Sequence, residues 1–141
     1  MNQAQRIAGL DVYIEGTGEQ TIVMLHGWPD TYRVWDAQVA AFAADYRCVR
    51  MTLPNFADQG ARTAYTIDSV ADMIAQAVQA VSPDQPVILL LHDWGCVFGY
   101  QFYQQHPERV SRMIALDIGD AASKQHLKSL KLYQLAMLGT Y

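Results

Sequence analysis

Cysteine is scarce in this chain. Cys48 and Cys96 are too few for a disulfide framework, and both sit in apolar surroundings that suit reduced, packed thiols. Long hydrophobic runs are missing too: the longest stretch of large apolar residues, Val87 to Leu91, is far short of a bilayer span, so no membrane partner is expected. The start, Met1 to Arg6, has no apolar core of the kind a secretory signal needs, and a cytoplasmic location is expected. Positive charge is also limited, with 10 Lys and Arg against 14 Asp and Glu and a formal net charge of -4. Such a surface repels phosphate, and Lys124, Lys128 and Lys131 are the nearest approach to a basic stripe, so nucleic acid is excluded as a partner. No paired-cysteine or HxxxH spacing and no glycine-rich phosphate loop occurs, so neither metal nor cofactor is expected.

Apolar residues are plentiful, at 51% of 141, which excludes an intrinsically disordered chain. Length alone reads as one domain able to bury about two-thirds of its unfolded surface. Along the chain, strand-like and helix-like segments alternate. Asp11–Glu15 alternates at period two, and Gly16 and Gly18 then turn the chain toward the continuous apolar run Thr21–Leu25. These two segments are expected to pair as an antiparallel hairpin at one sheet edge. Trp35, Val39, Phe42 and Tyr46 recur at helical spacing between Thr31 and Tyr46, and Arg47–Leu53 is again β-prone. Thr66 predicts an N-cap for a helix burying Ile67, Val70, Ile74, Ala77 and Val81. Val87–Leu91 reads as the most buried strand, followed by a helix over about 95–105, a strand over Met113–Leu116 and a helix over Ser123–Leu138. This order predicts a mostly parallel sheet with helices on both faces, and chemistry at the carboxyl ends of its strands.

Two such ends carry suggestive residues. Leu91-His92-Asp93-Trp94-Gly95 leaves the most buried strand and enters a helix, where a tight corner would hold Asp93 above the sheet with Gly95 as a small flank. A carboxylate is anionic at neutral pH and needs no base to become nucleophilic, so a corner aspartate suits attack on an electrophilic sp³ carbon. Asp93 as an ordinary helix N-cap, with Trp94 as a packing aromatic, accounts for the same residues. His26-Gly27-Trp28-Pro29-Asp30 follows the first buried strand, and its Gly and Pro could turn the chain so that the backbone N–H of Trp28 faces the site. With the N–H of Trp94 this would make a two-donor oxyanion hole, lined by His26, Gly27, Pro29 and His92, while a loop whose Gly and Pro merely turn the chain accounts for the same residues.

HGWP, then HDWG, then a strand ending at Asp117 resembles the α/β-hydrolase superfamily, in its epoxide hydrolase and haloalkane dehalogenase branch, from about Asp11 to Gly119. The resemblance implies an α/β-hydrolase fold, Asp93 as nucleophile, Trp28 and Trp94 as oxyanion donors, and a small-molecule substrate: an epoxide, haloalkane or ester. Trp28 matches the epoxide hydrolase form, whereas dehalogenases often carry a halide-binding Asn there. Asp117 stands where the family can place its acid, although capping the turn over Asp117–Asp120 explains it equally well. The family's base histidine comes after a cap domain. The chain therefore reads as residues 1–120 of the core and 121–141 as the start of the cap or a linker helix. On that reading it forms an aspartyl ester at most and does not turn over. A carboxyl-ester hydrolase relative and a non-catalytic scaffold are the alternatives. Two departures stand out: Leu91 occupies a position usually small, where it is expected to crowd the corner, and Leu53-Pro54-Asn55-Phe56-Ala57-Asp58 lacks the usual Asp and two Gly.

Overall fold

The computed structural model describes residues 3–56 and 63–118. Six strands form one sheet: β1 (Gln5–Ile7), β2 (Leu10–Glu15), β3 (Thr21–Leu25), β4 (Arg47–Thr52), β5 (Val87–His92) and β6 (Val110–Leu116). Their spatial order is β1-β2-β4-β3-β5-β6, with β4, β3, β5 and β6 parallel and β1 and β2 antiparallel additions at one side. The helices are α1 (Asp36–Phe42), α2 (Ile67–Val81) and α3 (Trp94–Gln105). Continuous apolarity in β3 and β5 is explained by their central places, where both faces are covered. On one face α2 and α3 pack over Val23, Leu25, Leu89 and Leu91. On the other, Trp35 and Val39 cover Ile22, Met24, Ile88 and Leu90.

The expected hairpin of β2 with β3 does not form. Instead β2 pairs with β4 and with the short β1, and the chain passes across the start of β4 to put β3 on its far side. The two glycines serve that crossing and not a hairpin turn. Gly16 has φ +81°, and an added Cβ would lie 3.0 Å from Ala43 Cα; at Gly18 it would lie 2.6 Å from Tyr46 Cα. The helix expected over Thr31–Tyr46 is shorter as well: Thr31 caps a 3₁₀ turn at Tyr32–Trp35, and α1 ends at Phe42. Buried Arg50 on β4 holds this region to the sheet through ion pairs with Glu15 at 2.6 Å and with Asp36.

Thr66 does cap α2, in a reciprocal capping box with Ser69. The buried stripe is Val70, Ala71, Ile74, Ala77, Val78 and Val81, while Ile67, expected inside, is exposed at the first helical position. The expected helix over Ser123–Leu138, and with it Lys124, Lys128, Lys131 and the 121–141 segment, lies outside the described residues.

Leu91 finds room in a way the local motif did not announce. It is fully buried, and a Cβ at Gly99 of α3 would lie 2.5 Å from its Cδ1. The glycine six residues past the corner thus accepts the bulk that a small residue on β5 would have avoided. Gly99→Ala is expected to overpack the site by about 1–3 kcal/mol, and Leu91→Ala to cost about 2–4 kcal/mol as a cavity. Because the two changes fill and empty the same space, the double variant should be less destabilised than their sum by about 1–3 kcal/mol. Denaturant melts of the four proteins measure this, and simple additivity would contradict the packing.

Candidate functional site

The carboxyl ends of β3 and β5 meet at Asp93. This residue joins β5 to α3 with φ +51° and ψ −122°, a backbone conformation that L-residues with side chains seldom adopt. Its side chain makes no capping bond to α3, although it occupies the N-cap position. Oδ2 instead accepts the backbone N–H of Trp28, 65 residues away in sequence, at 2.6 Å. The loop after β3 can come that close because of Gly27, where a Cβ would lie 2.6 Å from Asp93 Cγ. Gly95 makes the same kind of approach below the corner: its Cβ would lie 2.6 Å from Leu25 C and 2.8 Å from His26 O. Trp94 opens α3, so its backbone N–H is one of the four that a helix leaves without an internal partner. The peptide between Trp28 and Pro29 is cis.

His26 is fully buried, and its nitrogens are both engaged. Nε2 accepts the backbone N–H of Leu53 at 3.1 Å, which puts the ring proton on Nδ1 to be donated to the carbonyl of Gly27 at 3.1 Å. It therefore ties the end of β3 to the end of β4 from beneath the site. Burial lowers its pKa below the ordinary 6.5. The unfolded chain takes up a proton near pH 6.5 and the folded chain only at lower pH, so between those points the unfolded state binds more protons. Stability is accordingly expected to fall as pH drops below about 6.5, by at most about 1.4 kcal/mol per pH unit from this group. His26→Gln, which keeps an acceptor for Leu53 and does not titrate, should flatten that slope in melts between pH 5 and pH 7. Equal slopes would contradict it.

His92 closes β5, its ring perpendicular to that of Trp35 at 6.5 Å. His106 caps the opposite end of α3 beside Glu108, so neither end of that helix brings it to Asp93. His126 lies outside the described residues. Asp117 follows β6 with φ +82°; since His92 pairs with Leu116, the register sets Asp117 next to Asp93 on the neighbouring strand. Between them Cys96 is buried, its thiol donating to the Leu116 carbonyl at 3.4 Å. Burial, and then the charges of Asp93 and Asp117, push its pKa up, which keeps it a neutral packing group.

Aromatic residues stand on the loops that leave β3 and β4 and in the first turns of α3. Trp28 is 61% exposed and Trp94 44%. Phe56 sets its edge against both His26 (5.3 Å) and Trp28 (6.4 Å), while Trp94 stacks on Phe98 at 5.9 Å. Phe56 is a residue that motif reading passed over. Its place is fixed by the preceding Asn55, at φ +66°, whose side-chain amide bonds both the N–H (3.1 Å) and the carbonyl (2.7 Å) of Thr63. Asn tolerates this backbone conformation better than other side-chain-bearing residues, which accounts for one of the missing glycines.

A strand-to-helix corner of this kind, over a mostly parallel sheet, defines the class of α/β enzymes that present one reactive side chain above the sheet. The family profile described as alpha/beta hydrolase fold matches residues 20–138, and the chain belongs to that family. Among curated relatives it is 32% identical over 120 residues to "Probable oxidoreductase EphD" of Mycobacterium tuberculosis, covering 82% of this chain and 20% of that protein. It is 30% identical over 100 residues to Epoxide hydrolase 1 of Caenorhabditis elegans, covering 69% of this chain and 24% of the relative. The chain thus spans about a fifth to a quarter of the length of these proteins. The solved structure of epoxide hydrolase VrEH1 from Vigna radiata superposes with a TM-score of 0.75 at 25% identity, covering 84% of this chain and 38% of that one. No helix among the described residues is long and apolar enough to cross a membrane.

Proposed function

We propose that Asp93 is the nucleophile of an epoxide hydrolase-type reaction on a small-molecule substrate. The observation that carries this reading is the carboxylate itself: held on a strained corner, it declines its own helix and accepts the Trp28 N–H. That bond engages Oδ2 and leaves Oδ1 to attack an epoxide carbon. The C–O bond of the ring breaks, an ester forms at Asp93, and the released alkoxide takes a proton from water. The ester carbonyl then faces the backbone N–H groups of Trp28 and Trp94, which would hold the negative charge when water adds to it. Asp117 is the acid that could orient a base histidine beside this ester. The three histidines within the described residues have other places, His26 bonded to backbone at both nitrogens, His92 with its ring against Trp35 and His106 at the far end of α3. With no base histidine set beside the ester among the described residues, the ester at Asp93 is the species to look for.

Styrene oxide tests this. Intact-mass measurement should show one equivalent bound covalently, and hydroxylamine, which cleaves carboxylate esters, should release it. No adduct, or one that resists hydroxylamine, would overturn the reading. The exposed aromatic residues Trp28, whose backbone N–H bonds Asp93, and Trp94, next to it in the chain, favour an aryl epoxide as the first probe.

A further inference from the structure

The backbone donor at Trp28 stands on an exposed loop: His26 and Gly27 are buried, but Trp28 and Pro29 face outward. One hydrogen bond to Asp93, at 2.6 Å, is a small restraint for a group that must keep its place to within about 0.5 Å. The chain leaving β4 bears on the same loop. The Leu53 N–H donates to His26 Nε2 at 3.1 Å and fixes its near end. Farther along, the Phe56 ring stands at 77° to that of His26, with centroids 5.3 Å apart, and at 64° to that of Trp28, at 6.4 Å. Both are favourable edge-to-face distances. Phe56 thus meets the residue on either side of Gly27, the glycine that lets this loop approach Asp93. Phe56 is itself held. Its N–H donates to the Leu53 carbonyl at 3.3 Å, and the Asn55 side chain bonds both backbone groups of Thr63, at 2.7 and 3.1 Å. Asparagine supplies the donor, the acceptor and tolerance of φ +66° together.

We propose that Phe56 and Asn55 are positioning residues for the Trp28 N–H. Phe56 braces the exposed loop with its ring, and Asn55 latches Phe56 in place through Thr63. The inference rests on the reading of Asp93 as nucleophile and of the Trp28 N–H as a donor to the charge that develops there. Neither Phe56 nor Asn55 is asked to touch substrate. Without the brace the Trp28 peptide drifts from Asp93 Oδ2, so the carboxylate loses the contact that leaves Oδ1 aimed at the epoxide carbon. The loss therefore falls on the rate of the covalent step and not on substrate binding. A ring that merely filled space would act otherwise, loosening the fold as a whole when removed and leaving Trp28 no more affected than the sheet.

Amide hydrogen exchange, followed residue by residue by NMR, reads the brace without any substrate. In Phe56→Ala the Trp28 amide should exchange about tenfold faster or more than in the parent, while the amides of β5 keep their protection. Phe56→Tyr, which keeps the ring, should restore the parent value. Asn55→Gly still reaches φ +66° but loses both bonds to Thr63, so it should shift Trp28 the same way by a smaller factor. It also serves as the test should Phe56→Ala fail to fold. Labelling by styrene oxide gives the second readout. In Phe56→Ala the rate constant at saturation should fall by about tenfold, with the half-saturating concentration unchanged to within about twofold. Unaltered exchange at Trp28, faster exchange throughout the sheet, or a raised half-saturating concentration with an unchanged rate constant overturns the proposal. If Asp93→Asn labels at the parent rate, it is the reading of the nucleophile that fails, and exchange at Trp28 still decides whether Phe56 braces the loop.

Discussion

Asp93→Asn is expected to slow covalent capture of an epoxide by about a thousandfold or more, the scale seen when an essential nucleophile is removed. The amide is close in size and shape to the carboxylate, and its oxygen can still accept the Trp28 N–H now bonded at 2.6 Å. Asparagine also tolerates positive φ, so the corner at φ +51° is not disturbed by the change. What disappears is the anionic oxygen that attacks carbon. The thermal midpoint should stay close to that of the parent while adduct formation, followed by intact mass, drops out. A variant that labels at the parent rate would remove Asp93 from the chemistry. One that unfolds would make the carboxylate a structural group.

The second large effect separates two glycines that look equivalent in sequence. At Gly95 a methyl group would meet backbone on the adjoining strand, 2.6 Å from Leu25 C and 2.8 Å from His26 O, and no rotamer change can relieve that. β3 and α3 would have to move apart where Leu25, Leu91 and Cys96 are fully buried, so Gly95→Ala should cost roughly 3 kcal/mol or more. At Gly27 the added methyl would press on the Cβ of Asp93 as well as on its Cγ, 2.6 Å away; no rotamer change moves a Cβ, and what gives is the exposed loop at Trp28 and Pro29. Gly27→Ala should therefore stay folded and lose the Trp28–Asp93 bond, with labelling slowed by about a hundredfold, comparable to loss of one oxyanion donor. Chemical denaturation distinguishes the two, since the first variant should melt far earlier than the second. Equal stability losses would mean that the corner does not press on the sheet at Gly95.

Much of this architecture is local and so could be read along the chain. The continuous apolarity of β3 and β5, the Thr66 cap and the abrupt strand ends at Leu25 and His92 follow from short-range rules of periodicity and capping. What those rules do not encode is which strand lies beside which. Period two in residues 11–15 says that one face is buried, and it says nothing of the partner; the choice of β4 over β3 rests on the close passage of Gly16 and Gly18 past residues 43–46. Leu91 and Gly99 illustrate the same limit, because each departs from expectation alone and only their contact explains both. At the site, Asp93 and Trp28 were visible as motifs, while the Asn55–Thr63 bonds and the two backbone partners of His26 were not, since they join residues from separate segments. The helix over Ser123–Leu138 and His126 lie outside the described residues.

The account turns on one oxygen atom of Asp93. After incubation with styrene oxide, proteolysis and tandem mass spectrometry should place the added mass on Asp93, within the peptide that contains His92 and Trp94, and the same peptide from Asp93→Asn should be unmodified. Modification placed on Asp117, Cys96 or a histidine with Asp93 untouched would contradict the assignment of the nucleophile.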